Sequence, residues 1–214
     1  MPLLDSAISF FGIACLLGLT PGPDNLFVLM HSAVQGRRSG MLVVLGLCTG
    51  LLVHTAAVAL GLAAVFATSA LAFTVLKLFG AAYLVWLAWQ AWRAPDAPAQ
   101  ATTSAAGDQS QGTGAWRAYG KGVLMNITNP KVAIFFLAFL PQFADPAQGG
   151  MVLQLLSLGG IFILATLLTF SVIAYFSGVF GAALRRSPRA QRVMNRVAAV
   201  VFLGLAARLS FVQR

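Results

Sequence analysis

TPGPDN at residues 20–25 and NITNPK at residues 126–131 decide how this chain is read. Each places proline inside a long apolar run, and each falls in the opening run of one half of the sequence. Proline removes a helical hydrogen bond and clashes with the turn before it. Inside a bilayer, backbone freed in this way survives only where protein covers it or where it lines a wet cavity. One such break reads equally well as a structural kink. Two at corresponding places are the sequence pointer to a binding site between repeats.

Composition places those breaks in a membrane. Of the 214 residues 59% are hydrophobic and 9% charged, and the mean hydropathy is +0.85. A soluble domain carries about a quarter charged residues, so the chain reads as an all-α integral membrane protein. Lys and Arg number 14 against 5 Asp and no Glu, a net charge of +9. The basic residues fall in short blocks between apolar runs, as the positive-inside bias requires, and the surplus implies no nucleic-acid partner. MPLLDSAISF at the start lacks a basic leader and reads as part of the first span. Cys15 and Cys48 lie in apolar runs at a spacing that fits no metal or redox motif, and read as small buried hydrophobes. No cofactor or metal is expected.

A spanning helix needs about 20 apolar residues. On that criterion six spans are expected, at 6–34, 41–67, 70–92, 119–143, 150–184 and 193–212. Residues 94–118, rich in Ala, Pro, Gln, Ser, Thr and Gly, read as a flexible cytoplasmic linker between a first unit, 1–93, and a second, 119–214. Arg37 and Arg38 follow span one. Arg93, Arg117 and Lys121 flank the linker, and Arg185, Arg186, Arg189, Arg192 and Arg196 follow span five. The alternate connections, 67–70 and 144–149, carry no basic residue. Basic loops inside put both termini on the outer, periplasmic or extracellular, side. Three spans per half force the halves into opposite orientations, giving two inverted three-helix repeats.

At the first break Thr20 is the expected cap of a half-helix opening at Pro21, with Gly22 and Pro23 keeping the backbone irregular and Asp24 and Asn25 following. At the second, Asn129 caps a half-helix opening at Pro130. Such N-termini attract carboxylates. Asp24, His54, Lys77, Lys131 and Arg208 lie inside spans, where a charge costs at least about 2.5 kcal/mol. Asp24 and Lys131 should face each other. They read either as a neutralising ion pair or as receptors for a substrate's ammonium and carboxylate, and the readings are compatible if substrate competes for the pair. Lys77 and Arg208 fall toward the outer half, where they snorkel or gate. His54 shares a face with Gly46 and Gly50, the four-residue spacing that lets helices approach. It is either a proton carrier or a hydrogen-bonded packing residue. Tyr83 lies deeper than Trp86, Trp89 and Trp92 and is a candidate cavity residue.

TPGPDNLFVL at 20–29, GRRSG at 36–40, LKLFGAAYLVWLAW at 76–89 and NITNPKVAIFFLAFLPQF at 126–143 resemble the LysE/RhtB family of bacterial inner-membrane amino-acid exporters. The resemblance covers nearly the whole chain outside 94–118. It implies a six-helix permease that exports amino acids, neutral (homoserine, threonine, leucine) or basic (lysine), driven by the proton-motive force. By motif it carries the family's central elements onto Pro21, Gly22, Pro23, Asp24, Asn25, Asn126, Asn129, Pro130 and Lys131, with Lys77, Tyr83 and Arg208 also matching in type. Small-residue helix faces are compatible with a homodimer.

Three other readings are weighed against it. An exporter of inorganic ions needs several oxygen or sulfur ligands within the spans, and one Asp without Glu is thin provision. A thiol-relay membrane enzyme needs paired cysteines beside the breaks, and the second half has none. A passive channel differs from an exporter only in lacking coupling to a gradient.

Overall fold

The computed structural model describes residues 4–20, 22–68, 70–94, 114–177 and 188–211. Pro21, Arg185, Arg186 and most of the expected linker lie outside them. All regular structure among the described residues is helical: α1 (Leu4–Leu19), α2 (Pro23–Gln35), α3 (Arg37–Thr68), α4 (Ala70–Arg93), α5 (Gly114–Ile127), α6 (Pro130–Ile134), α7 (Met151–Tyr175) and α8 (Pro188–Phe211). After α6 the chain passes through a π turn, Phe135–Phe139, and a 3-10 turn, Leu140–Phe143.

Both proline segments break their helices. α1 and α2 meet at 62°, and α5 and the Pro130–Phe143 segment at 49°. Among the described residues three helical stretches are long and apolar enough to cross a membrane unbroken: Arg37–Gly61, Met151–Tyr175 and Gln191–Ser210. Counting each bent pair as one span raises the number to five. The protein is an all-α membrane protein.

Two boundaries differ from those expected. The chain is already helical at Gly114, so 114–118 belong to α5 rather than to the linker. Ala118, Gly122 and Asn126, all buried, repeat every four residues along α5, and this face holds the helix against α3. The last helix begins at Pro188, ahead of the apolar run, because proline suits a first helical turn and the following arginines stay helical outside the hydrocarbon.

α3 packs against α5 and α7, α1 against α7, and α4 against α8. Glycine sets the closest of these approaches. A Cβ on Gly46 would collide with the Tyr119 carbonyl, and one on Gly122 with the Val43 carbonyl. The α3–α5 contact is therefore backbone on backbone, the kind of packing available to helices in lipid.

Six phenylalanines fill part of the interior. Phe10 lies 4.9 Å from Phe143, Phe135 4.8 Å from Phe139, and Phe136 5.1 Å from Phe162, centroid to centroid, and all six are buried. The π turn carries Phe135, Phe136 and Phe139 into this cluster. Beyond it, fully buried Gln154 holds the 144–150 connection, donating to the Asp145 and Gly149 carbonyls at 2.8 and 2.7 Å and accepting from the Asp145 amide at 2.9 Å.

Candidate functional site: a charge pair where two broken helices meet

Lys131 Nζ lies 3.2 Å from Asp24 Oδ1, both side chains being less than a tenth exposed. The same ammonium donates to the Thr20 carbonyl at 3.5 Å. That carbonyl belongs to the backbone around the first break. Lys131 thus neutralises the carboxylate and serves the interrupted helix at once.

Local sequence explains how each partner is placed. Gly22, extended at φ −159° and ψ 175°, precedes Pro23 at the first turn of α2, and Asp24 lies in that turn, where a negative charge suits the helix dipole. A Cβ on Gly22 would stand 2.7 Å from Asp24 Oδ1 and 2.8 Å from Lys131 Nζ, so this position is glycine because the pair closes against its backbone. At the second break Asn129 caps as expected, its Oδ1 accepting from the Lys131 amide at 3.0 Å.

The first break is capped differently from the expectation. The N-cap is Gly22, without a side-chain hydrogen bond. Thr20 instead turns its hydroxyl back onto α1 and donates to the Leu16 carbonyl at 2.8 Å, since the extended Gly22 separates it from the first turn of α2. The second half-helix runs from α6 through the π and 3-10 turns to Phe143, and its first free amide is already taken by Asn129. Lys131 adds a full positive charge at this second break.

Asn25 Oδ1 and Asn129 Nδ2, on residues bonded to the pair's own segments, are buried without protein partners, and so is Asn126 Oδ1, which faces Gly50 of α3. Asn25 is oriented by its Nδ2, which donates to the Gly18 carbonyl at 2.5 Å across the first break. Unmade hydrogen bonds of this kind cost about 1–3 kcal/mol each. One acceptor and one donor left open beside an ion pair form a set that a zwitterion, or ordered water, would satisfy.

His54 joins this region. Its Nε2 donates to the Asn126 carbonyl at 3.2 Å, and its ring lies 5.7 Å from Phe136. Gly46 and Gly50 on the same face rest on Gly122 and Asn126. Arg208 is exposed, with its guanidinium 4.4 Å from the centre of the Phe143 ring at the edge of the aromatic cluster. Tyr83, half-buried on α4, stacks near Trp86 at 5.3 Å, and Lys77 is half-buried on the same helix. The residues brought together are thus Thr20, Gly22, Asp24, Asn25, Asn126, Asn129, Lys131 and His54. Pro21 lies outside the described residues.

Sequence reading missed Gly18, whose carbonyl orients Asn25, and the α5 face Ala118–Gly122–Asn126. The four-residue spacing of small residues on that face was a usable signal. Gly18 offered none, because its part is played by a carbonyl. His31 was also missed. It is buried on α2, with Nε2 2.9 Å from Ser39 Oγ and its ring 5.3 Å from that of Phe27.

Broken helices meeting at a buried charge pair inside a multi-pass helical membrane protein make the build of a small-solute translocator. The chain belongs to the LysE type translocator family, whose sequence model matches residues 10–212. It is 34% identical over 195 residues to the homoserine/homoserine lactone efflux protein of Salmonella typhimurium, covering 91% of each chain. It is 35% identical over 201 residues to an uncharacterized membrane protein of Vibrio cholerae, covering 92% of each. No solved structure matches it.

Proposed function

We propose that the protein exports a small amino acid, or a closely related metabolite, across the bacterial inner membrane by proton-driven alternating access. The observation that carries this reading is the buried Asp24–Lys131 pair between the two breaks. The substrate's carboxylate displaces Asp24 from Lys131 and takes the Asn129 amide as a second donor. Its ammonium meets Asp24 and the open Asn25 oxygen. A zwitterion thus replaces one internal ion pair by two, so that each buried charge keeps a partner while the path opens. The efflux relative named above favours a neutral substrate such as homoserine over lysine.

The six-span arrangement counts the two bent pairs together with α3, α4, α7 and α8, in two units, α1–α4 and α5–α8, joined by a linker that ends where α5 begins at Gly114. Exchange symmetry of the packing supports inverted repeats. α1 lies on α7 as α5 lies on α3, while α3–α7 and α4–α8 pair each helix with its counterpart. The basic connections face the cytoplasm and both termini face outward. The six-phenylalanine cluster then closes the outer path, and rocking of the repeats opens it. Asp24 is the coupling carboxylate; Arg208 and Lys77 stand at the outer gate. His54 is placed to hold the second break through the Asn126 carbonyl.

Everted vesicles carrying the protein test the reading when a panel of labelled amino acids is offered with and without a proton gradient. Gradient-dependent accumulation of one or a few amino acids is expected. Gradient-independent flux would identify a passive channel, and no amino-acid flux from inserted protein would move the substrate to another metabolite or an ion.

A further inference from the structure

A cleft of about 500 Å³ lies between the end of α1 and the start of α8. Leu16, Leu19 and Thr20 form one wall, and Arg189, Val193 and Val197 much of the other. Leu16, Leu19, Val193 and Val197 are each about half exposed, so the cleft opens sideways onto the apolar surface of the protein rather than into the bundle. Its walls have almost no polar valence to offer. The Thr20 hydroxyl gives its one proton to the Leu16 carbonyl at 2.8 Å, and the Thr20 carbonyl is engaged by Lys131 Nζ at 3.5 Å. Arg189 is the one charged residue among the described lining residues.

An apolar trough with a cation at one end complements a long apolar chain that ends in an anion. A free amino acid fits it poorly: Arg189 would take the carboxylate, but the ammonium would find the Thr20 hydroxyl as the one side-chain oxygen among the described lining residues. Arg189 also opens a run with Arg192 and Arg196 in the first turns of α8, the basic segment assigned above to the cytoplasmic side. Basic pockets between helices at that level bind anionic head groups.

We propose that this cleft is a binding site for an anionic phospholipid of the cytoplasmic leaflet, with an acyl chain between α1 and α8 and the phosphate on Arg189. The seated chain presses against Thr20, whose carbonyl holds Lys131, so lipid occupancy supports the first break from behind. The proposal rests on the orientation given above but not on the identity of the exported solute.

The test uses the full chain purified in detergent, exposed to an equimolar mixture of phosphatidylglycerol and phosphatidylcholine, with retained lipid read by native mass spectrometry. Wild type is expected to retain phosphatidylglycerol preferentially. R189Q should lose that preference by roughly fivefold, the effect of one basic side chain at an anionic surface, and V197F, which fills the trough, should retain less of both lipids. R38Q, which removes an exposed arginine outside the cleft lining, should retain both lipids as wild type does. Unchanged retention in R189Q, which removes no packing from the core, would overturn the site even if V197F failed to fold. Displacement of bound lipid by inorganic phosphate or by a neutral amino acid would overturn it in favour of a free-anion site or a substrate vestibule. None of these readouts depends on export, so their failure would leave the transport reading standing.

Discussion

Asp24 Oδ1 and Lys131 Nζ, separated by 107 residues of chain, lie 3.2 Å apart at the junction of the two broken helices. Removing one partner of a buried pair leaves an uncompensated charge, worth about 3–5 kcal/mol of stability. K131M and D24N are therefore expected to lower membrane abundance as well as export. The double variant D24N/K131M removes both charges and should recover abundance without recovering export. Quantified export per inserted molecule checks this; export by the double variant at wild-type rate would reduce the pair to a structural role.

Gly22 separates site geometry from folding. The atoms its added Cβ would meet are the flexible ends of Asp24 and Lys131, not backbone. G22A should insert normally but push the pair apart. Loss of a charge-assisted hydrogen bond is worth about 1.5–3 kcal/mol, so export should fall by at least about tenfold at unchanged protein level. Equal export by G22A and wild type would show that the pair tolerates separation.

Gly46 predicts the opposite pattern. Its neighbours across the interface are the Tyr119 carbonyl and the backbone of Gly122 and Val123, which cannot move aside singly. G46V should drive α3 from α5 and destabilise the protein by roughly 1–3 kcal/mol or more. A lowered midpoint in thermal unfolding of the detergent-solubilised protein is the measurement. A substitution at Gly61, where an added Cβ meets nothing within 4 Å, is its control.

His54 donates to a backbone carbonyl, a duty glutamine can perform. H54Q is expected to keep most export and its dependence on external pH. H54L removes one of two donors to the Asn126 carbonyl, which keeps the Asn129 amide at 3.0 Å, and should lose about 0.5–1.5 kcal/mol of stability. A flattened pH profile in H54Q with normal abundance would make His54 the proton carrier instead.

Orientation is testable with cysteine labels on a background lacking Cys15 and Cys48. A147C, exposed in the connection before α7, should react with an impermeant maleimide in intact cells. Q35C, exposed at the end of α2, should react only after permeabilisation. The reverse pattern would invert the assignment of the inner and outer ends.

Much of the architecture was legible because each relevant signal is local. Apolar runs set against a bilayer's thickness locate helices, and proline marks the breaks at 20–25 and 126–131 without reference to anything distant. The Gly46–Gly50–His54 spacing identified a packing face, and Asn129 before Pro130 identified a cap. Thr20 shows where local reasoning failed. Residue type and position both suit a cap, but extended backbone at Gly22 carries it out of reach, and the backbone angle at a glycine is not written in its neighbours.

Sequence by itself determined that the chain is helical, membrane-embedded and broken twice, and that each break has one charged residue beside it. The cost of burying charge in lipid already required those residues to find partners. The facing of Asp24 and Lys131 was already expected from their places after the two breaks, whereas tertiary structure alone decided the other partners: Lys131 with the Thr20 carbonyl, His54 with the Asn126 carbonyl and Arg208 with the Phe143 ring. Those choices depend on helix approach distances of a few ångströms, set where Gly46 meets Gly122, and no one-dimensional spacing encodes a contact between helices seventy or more residues apart.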